Sequence, residues 1–375
     1  MSDLFENFEK FRTNQELISI YEFPLYTDNP WITGAIESEP ISLLNPVIHN
    51  NKGIFLPRIV LRYFNYINSD EVTNYTAKQA ESKIKSYQSA PAELSYLINL
   101  RLGLRTKIGS CMRKFKPSLI NNPNYGFISN SHYYPNYEKE VLLSGYPVIP
   151  SLFKPANLSI EDYFNKLISM KEKDLRNSVR AAKLYSSALF LVERTPKISW
   201  ILLVSAIEAA AESQRYNTNN LELIKNEFPK LYNLIDSSNK SQEIFKELNN
   251  VINLKAQQKF IQFIKKYYPI PQKRTDLPEG FLIDWDNIDT ILKKIYTYRS
   301  CALHSVGTGA FPREMCFPPF KIWNEKEVEI ESEWIGEVYY GQGKVRLKQE
   351  DIPMNLAKFE EIVRLSLLKW IEDTN

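Results

Sequence analysis

The spacing of apolar residues changes character near residue 155 of the chain. Before that point, apolar and aromatic residues stand in short runs punctuated by proline, such as LISIYEFPLY and GIFLPRIVLRYFNYI, which predict β-strands. The pattern turns helical from Ala90 to Phe115, with a break near Gly103. Residues 117–155 are rich in Asn, Tyr, Ser and Pro, which predicts irregular structure ending in a linker. We therefore expect a mixed α/β N-terminal domain over residues 1–155.

After residue 155, apolar positions recur with the period of α-helices. Residues 159–193 contain neither Gly nor Pro, which predicts one or two long helices. Pro196 then stands where a further helix begins, and the sequence that follows it, KISWILLVSAIEAAAES, is apolar nearly all round. A helix of that kind belongs in the centre of a bundle. Two helical stretches are predicted within residues 220–268, one running from Asp284 or Asp286 to about residue 304, and a last one from about Asn355.

Alternating residues between Val328 and Lys348 predict a β-hairpin with Gly341 or Gly343 near its turn. This hairpin would be a small insertion in an otherwise all-α helical bundle over residues 156–375. The predicted fold class is therefore α+β overall, with the mixed N-terminal domain preceding the bundle.

Composition limits the class of protein without naming a function. With 375 residues the chain is long enough for two hydrophobic cores. Its 47 Lys and Arg against 44 Asp and Glu leave a net charge of +3, which is too small to identify a nucleic-acid-binding protein. Three cysteines without CxxC spacing disfavour a disulfide scaffold and fit a reducing cytosol. The sequence shows no secretory signal or membrane-spanning run, so we expect a cytoplasmic protein without a membrane partner.

One basic cluster follows the N-terminal helical pattern, and its members are Arg101, Arg105, Lys107, Arg113, Lys114 and Lys116. No acidic residue lies among them to neutralise their charge. The pattern favours a solvated basic face, and contact with an RNA backbone is the alternative.

Several common types of active site have no counterpart in the sequence. It contains no glycine-rich phosphate loop, no GxGxxG after a predicted strand, no HExxH motif and no Cys/His cluster. No GxSxG elbow supports a serine nucleophile, although a Ser-His-Asp triad is not excluded by sequence. We therefore expect neither a metal ion nor a cofactor.

Arg299 and His304 are the pair best suited to acid–base or phosphate chemistry. They lie near the end of the predicted helix, and His304 is one of only three histidines. A five-residue step separates two side chains by about 140° around an ideal helix. The pair therefore converges only if the helix unwinds after Leu303 or if two copies of the chain meet. Glycines at positions 307 and 309 predict that the helix ends close to His304.

Glu208 falls within the apolar helix that follows Pro196. A buried carboxylate without a partner would be costly, so we expect Glu208 to meet a cation or to accept a hydrogen bond. The alternative is that it points outward near the helix end.

These residues resemble the HEPN superfamily, and more narrowly its Apea-like branch. Members of that branch end this helix with a Tyr-Arg…His-Gly pattern, which the chain matches at Tyr298, Arg299 and His304. An earlier helix of the branch carries an Ala-[Leu/Ile]-Glu triplet, here Ala206-Ile207-Glu208. The likeness covers residues 160–372. The chain departs from the pattern at Ser300, where active members often have Asn, Asp or His, and at the glycine after the His, which is displaced to position 307.

The resemblance implies a metal-independent endoribonuclease that acts as a homodimer or higher homo-oligomer, with two Arg-x4-His motifs facing each other. It makes His304 the general acid or base, Arg299 the ligand of the scissile phosphate, Glu208 the residue that orients Arg299, and Ser300 a supporting residue. RNA would supply its own 2′-OH as nucleophile and leave a 2′,3′-cyclic phosphate and a 5′-OH. The activity would serve antiviral defence, as in abortive infection, or toxin-like growth arrest. The N-terminal domain would sense an activating ligand or a phage component.

Two other interpretations are open at the level of sequence. A HEPN-fold protein without catalysis would use its helical face as a binding or scaffold surface for another chain or a nucleotide. An unrelated helical protein would carry Arg299 and His304 by coincidence.

Overall fold

The strand-forming and helical segments assemble into an α+β fold, which confirms the predicted class. A computed structural model describes residues 3–45, 56–67, 90–117, 127–128, 147–212, 225, 229–245, 256–269, 283, 285–304, 311–316, 321–323, 329–331, 338–340, 345–347 and 353–374.

An antiparallel sheet dominates the N-terminal part of the chain. Its strands are β1 (Ser19–Thr27), β3 (Ile36–Glu37), β4 (Ile41–Leu44), β5 (Leu56–Asn65), β6 (Thr106–Ile108), β7 (Arg113–Phe115) and β8 (Phe127–Ile128). They follow the order β3-β4-β5-β1-β7-β8, and β6 also pairs with β1. The central position of β1 fits its mostly buried residues, since a central strand has neighbours on both edges.

The alternation of side chains along β5 explains how the sheet faces two apolar clusters. Ile59 and Leu61 belong to the main core of the molecule. Phe64 lies on the opposite face, where it packs with Ile20 and Phe115 in a smaller cluster. Successive residues of a strand point to opposite faces, so the sheet separates the two clusters.

The prediction that the helical pattern continues to Phe115 is wrong beyond residue 102. After α1 (Asp3–Arg12), the next described helix, α2, spans Ala90–Leu102 and is followed by β6 and β7. Gly103 has a φ of +63°, the left-handed conformation that commonly terminates a helix and that glycine adopts without steric cost.

The basic cluster does not form one solvated face, because its residues fall on different elements. Arg105 is buried and forms an ion pair with the buried Asp28. Arg113 lies on β7 and pairs with the buried Glu22 of β1 at 2.7 Å. The predicted solvated face is therefore wrong at Arg105, whereas the Arg113 side chain stays 38% exposed.

Helices make up most of the described chain after residue 160. They are α3 (Glu161–Ser169), α4 (Glu172–Leu191), α5 (Pro196–Ala211), α6 (Pro229–Asp236), α7 (Ala256–Tyr267), α8 (Ile288–His304) and α9 (Leu356–Asp373). The predicted helix starts at Pro196 and at Asn355 are confirmed, and the Asn355 side chain accepts a hydrogen bond from the Lys358 amide at 2.9 Å. Within the described ranges, no helix combines the length and apolar character that a bilayer span requires.

The apolar helix α5 lies in the middle of the helical part, as its composition predicts. It packs against α4, α7, α8 and α9. Its Trp200 is fully buried, with the ring stacked on Phe359 at 4.5 Å and on Phe311 at 5.0 Å between centroids. Aromatic rings of this kind contribute large apolar areas to a core, so Trp200 anchors α5 to two separate segments.

The two predicted domains share one connected core. A single cluster of buried apolar residues extends from Leu4 to Ile371. β2 (Ile32–Thr33) also pairs in parallel with β9 (Ala156–Asn157), and the Asn29 amide donates hydrogen bonds of 2.8 Å to the carbonyls of Leu152 and Lys154. The division of the chain at residues 155 and 156 stays a prediction.

The hairpin region contains two strand pairs rather than one. β12 (Val338–Tyr340) pairs with β13 (Val345–Leu347), as the alternating pattern predicts, and the predicted turn glycines lie outside the described residues. β11 (Glu329–Glu331) pairs instead with the preceding strand β10 (Lys321–Trp323). The sequence pattern did not reveal β10, because three residues carry too little period-two signal.

Replacing Trp200 by Ala is expected to lower the free energy of unfolding by about 3–5 kcal/mol, since it empties a buried, stacked ring site. Urea unfolding followed by circular dichroism measures the change. Ile198→Ala on the same helix is the matched control, because Ile198 is 45% exposed and its truncation should change stability by no more than about 0.5 kcal/mol. Equal losses for the two variants would contradict the central packing of α5.

Candidate functional site

Arg299 lies on the face of α8 that packs against the other helices. Ile288, Leu292 and Ile295 are buried along this face, at the i, i+4, i+7 spacing of an apolar stripe. Arg299 continues that spacing by four residues. Its side chain is therefore directed toward the neighbouring helix α5 and not toward solvent.

The cation that the partly buried carboxylate of Glu208 meets is Arg299. The Nη2 atom of Arg299 lies 2.6 Å from Oε2 of Glu208, and the two side chains are only 19% and 21% exposed. Tyr296, one turn before Arg299, donates its hydroxyl hydrogen to the other carboxylate oxygen at 2.7 Å. The expectation that Glu208 meets a cation agrees with this contact, whereas its supporting role in catalysis stays a prediction.

Tyr296 is a site residue that sequence reasoning missed. Burial, together with the hydrogen bond to Glu208 and its negative charge, raises the pKa of Tyr296 to about 12. The hydroxyl therefore stays protonated at neutral pH and acts as a donor. The Arg299 guanidinium also lies 5.5 Å from the centroid of the Tyr296 ring. The signal was available, because residues three apart share a helix face.

α8 remains helical through His304, where it ends. The side chain of His304 and the predicted glycine segment 305–309 lie outside the described residues. The backbone is helical at both Arg299 and His304, and a five-residue step on an ideal helix corresponds to about 140°. The two predicted routes of convergence stay predictions. Ser300 is half-buried on the same helix.

A groove of about 660 Å³ opens beside the ion pair and is lined by α4, α5, α7 and α8. Arg299 and Glu208 form part of its wall. The other charged residues of the lining are Arg180, Lys183, Glu212 and Lys259. Arg180 and Glu212 form an ion pair at 3.0 Å. The groove thus exposes four basic side chains and two carboxylates, and sequence reasoning singled out only Arg299 and Glu208 among them.

No group of three His, Cys, Asp or Glu residues within the described ranges is arranged to hold a metal ion. The arrangement that is present suits anion binding, because a fixed guanidinium next to further cations attracts and orients a phosphate group. Comparisons with protein-family models, with curated proteins and with solved structures found no match. The resemblance to the HEPN superfamily therefore stays a prediction.

The Glu208–Arg299 pair is expected to contribute more to stability than the second Arg–Glu pair of the same groove. A double-mutant cycle of Glu208→Gln and Arg299→Gln should give a coupling free energy of about 1 kcal/mol or more, because both groups are largely shielded from water. The matched cycle of Glu212→Gln and Arg180→Gln should give less than about 0.5 kcal/mol, since those side chains are 69% and 61% exposed. Urea unfolding of all the variants measures both values, and equal coupling would contradict the shielding of the first pair.

Proposed function

We propose that this protein is a metal-independent endoribonuclease of the HEPN type that acts in the cytoplasm as a homodimer or higher homo-oligomer. It cleaves RNA by attack of the 2′-OH and serves antiviral defence or toxin-like growth arrest. One observation carries the proposal: a guanidinium fixed by a carboxylate stands on the wall of a basic groove, on a helix that ends in a histidine.

Arg299 is the phosphate ligand in this proposal. Its guanidinium has five N–H donors, and Glu208 holds one edge of it through Nη2. The Nε atom is buried, so the donors left for a phosphate are the remaining N–H groups of the two terminal nitrogens. A guanidinium oriented in this way can donate to two phosphate oxygens and stabilise the charge that develops on them. Glu208 and Tyr296 act through Arg299, as positioning residues.

His304 supplies the proton transfers. As a base it takes the proton from the 2′-OH, whose oxygen then attacks the neighbouring phosphorus. The bond from phosphorus to the 5′-oxygen breaks, and this oxygen takes up a proton from an imidazolium acting as acid. The products are a 2′,3′-cyclic phosphate and a 5′-OH, with no metal ion needed in either step.

The five-residue spacing of Arg299 and His304 on one helix supports a site shared between two copies. Such a step corresponds to about 140° on an ideal helix, so Arg299 of one copy would hold the phosphate on which His304 of the other copy acts. Residues 1–155 would regulate this assembly by sensing an activating ligand or a phage component. A non-catalytic HEPN-fold binding or scaffold protein is the alternative that the following experiment separates.

The purified protein is expected to cleave a mixed RNA pool in the presence of EDTA and to leave fragments that end in cyclic phosphate. Arg299→Ala and His304→Ala should each lower the rate at least 100-fold, because each removes a group that acts on the reacting phosphate. Circular dichroism checks that both variants remain folded. Cleavage that needs a metal ion, or full activity in either variant, would refute the proposal, and binding of RNA without cleavage would favour the scaffold.

A mixture of the two inactive variants should recover activity. A dimer of one Arg299→Ala chain and one His304→Ala chain keeps one intact shared site, and half of the randomly formed dimers are of this type, so about a quarter of wild-type activity is expected. The mixture is prepared by coexpression and assayed with the same RNA pool. Either variant expressed alone is the control. No recovery in a mixture shown to contain the mixed dimer would mean that each site belongs to one chain.

A further inference from the structure

The basic groove extends from the ion pair between α5 and α8 to two further helices, α4 and α7. Arg180 and Lys183 lie three residues apart on α4 and so project from the same helix face. Lys259 lines the groove from α7. The basic side chains thus come from α4, α7 and α8, which places positive charge along the groove and not only at Arg299.

The two carboxylates of the groove leave this positive character in place. Glu208 is engaged by Arg299 and Tyr296 and is largely shielded from water. Glu212 is exposed and pairs with the exposed Arg180. An exposed pair of this kind contributes little free energy, so a phosphate can take the place of Glu212 as the partner of Arg180 at little cost.

The remaining residues that line the groove have few groups that could recognise a base. They are Leu184, Ser205, Ala209 and Ala256. None of the described residues that line the groove is aromatic, so it lacks the rings on which unpaired bases usually stack. Phosphate contacts position a nucleic acid without reading its sequence.

The volume of the groove fits a short single strand. About 660 Å³ lies within the range of pockets that hold one small molecule, so the groove has room for a short piece of one strand. Double-stranded RNA is instead bound over many base pairs, through its shape.

We propose that this groove binds the phosphate backbone of single-stranded RNA next to the scissile phosphate, without selecting the base sequence, and that Arg180, Lys183 and Lys259 are its positioning residues. The inference rests on the proposed function for the identity of the scissile phosphate. The binding itself is separable from cleavage, because it requires neither His304 nor the 2′-OH.

The test uses binding of a probe that the protein is unable to cleave. Fluorescent 2′-O-methyl RNA 12-mers of two unrelated mixed sequences are titrated with the full chain at several salt concentrations. Wild-type protein should bind both with similar affinity. The double variant Lys183→Ala/Lys259→Ala should bind about tenfold more weakly, and the slope of log affinity against log salt should become shallower by about 1.4, since two phosphate contacts are lost.

Lys265→Ala is the matched control, because Lys265 lies on the same helix α7 but pairs with Asp289 at 2.9 Å outside the groove lining. Its affinity and salt slope should equal those of the wild type. In cleavage assays the double variant should raise KM about tenfold with little change in kcat, since the lysines hold substrate away from the reacting atoms.

The outcomes separate this inference from the proposed function. If wild-type protein cleaves RNA and the double variant binds and cleaves like the Lys265→Ala control, the proposed RNA-binding role of the groove is wrong. The ribonuclease proposal then still stands. If the double variant loses RNA binding and no form of the protein cleaves RNA, the proposed RNA-binding role of the groove is supported and the ribonuclease proposal is rejected. A strong preference for one of the two sequences, or no binding by wild type, overturns the inference, and in the second case an acidic protein segment is the occupant to test.

Discussion

A carboxylate on a helix that is apolar nearly all round must be compensated, and the candidate site depends on how this chain does so. Glu208 lies on α5, the helix that contacts α4, α7, α8 and α9. Its negative charge is met by Arg299 on α8 and by the hydroxyl of Tyr296. Because the Glu208 side chain is only 21% exposed, leaving its charge without a partner would destabilise the fold. The contact that satisfies it also fixes the guanidinium at the edge of the groove. The same ion pair thus stabilises the fold and, in the proposed function, orients the guanidinium that binds the phosphate.

A second charged cluster ties the N-terminal part of the chain to the helices. Arg105 is buried against Asp28, and its guanidinium also lies 3.9 Å from Glu193, which follows α4. Burial raises the pKa of Asp28 and that of Glu193, an effect that the charge of Arg105 partly offsets. α4 therefore connects to this cluster near its end and contributes Arg180 to the groove near its middle. Control of cleavage by residues 1–155 would have a direct physical route along this helix.

Sequence reasoning succeeded where local pattern decides the outcome and failed where distant residues decide it. Helix starts at Pro196 and Asn355 follow from capping and backbone rules that act within a few residues. That Glu208 would meet a cation or accept a hydrogen bond followed from its place on an apolar helix, whereas Arg299 as the partner came only from the resemblance. The burial of Arg105 was not foreseen, because Asp28 is far away in sequence and nothing local marks it as a partner. The groove was missed for the same reason, since its cations become neighbours only when three helices pack.

The spacing of Arg299 and His304 along α8 underlies the proposal that a complete site needs two chains. Arg299 continues the stripe of Ile288, Leu292 and Ile295 and is held inward by Glu208. His304 comes five residues later on the same helix, a step of about 140° on an ideal helix. The proposed site shared between two copies follows from this spacing, while the groove beside Arg299 is formed within a single chain.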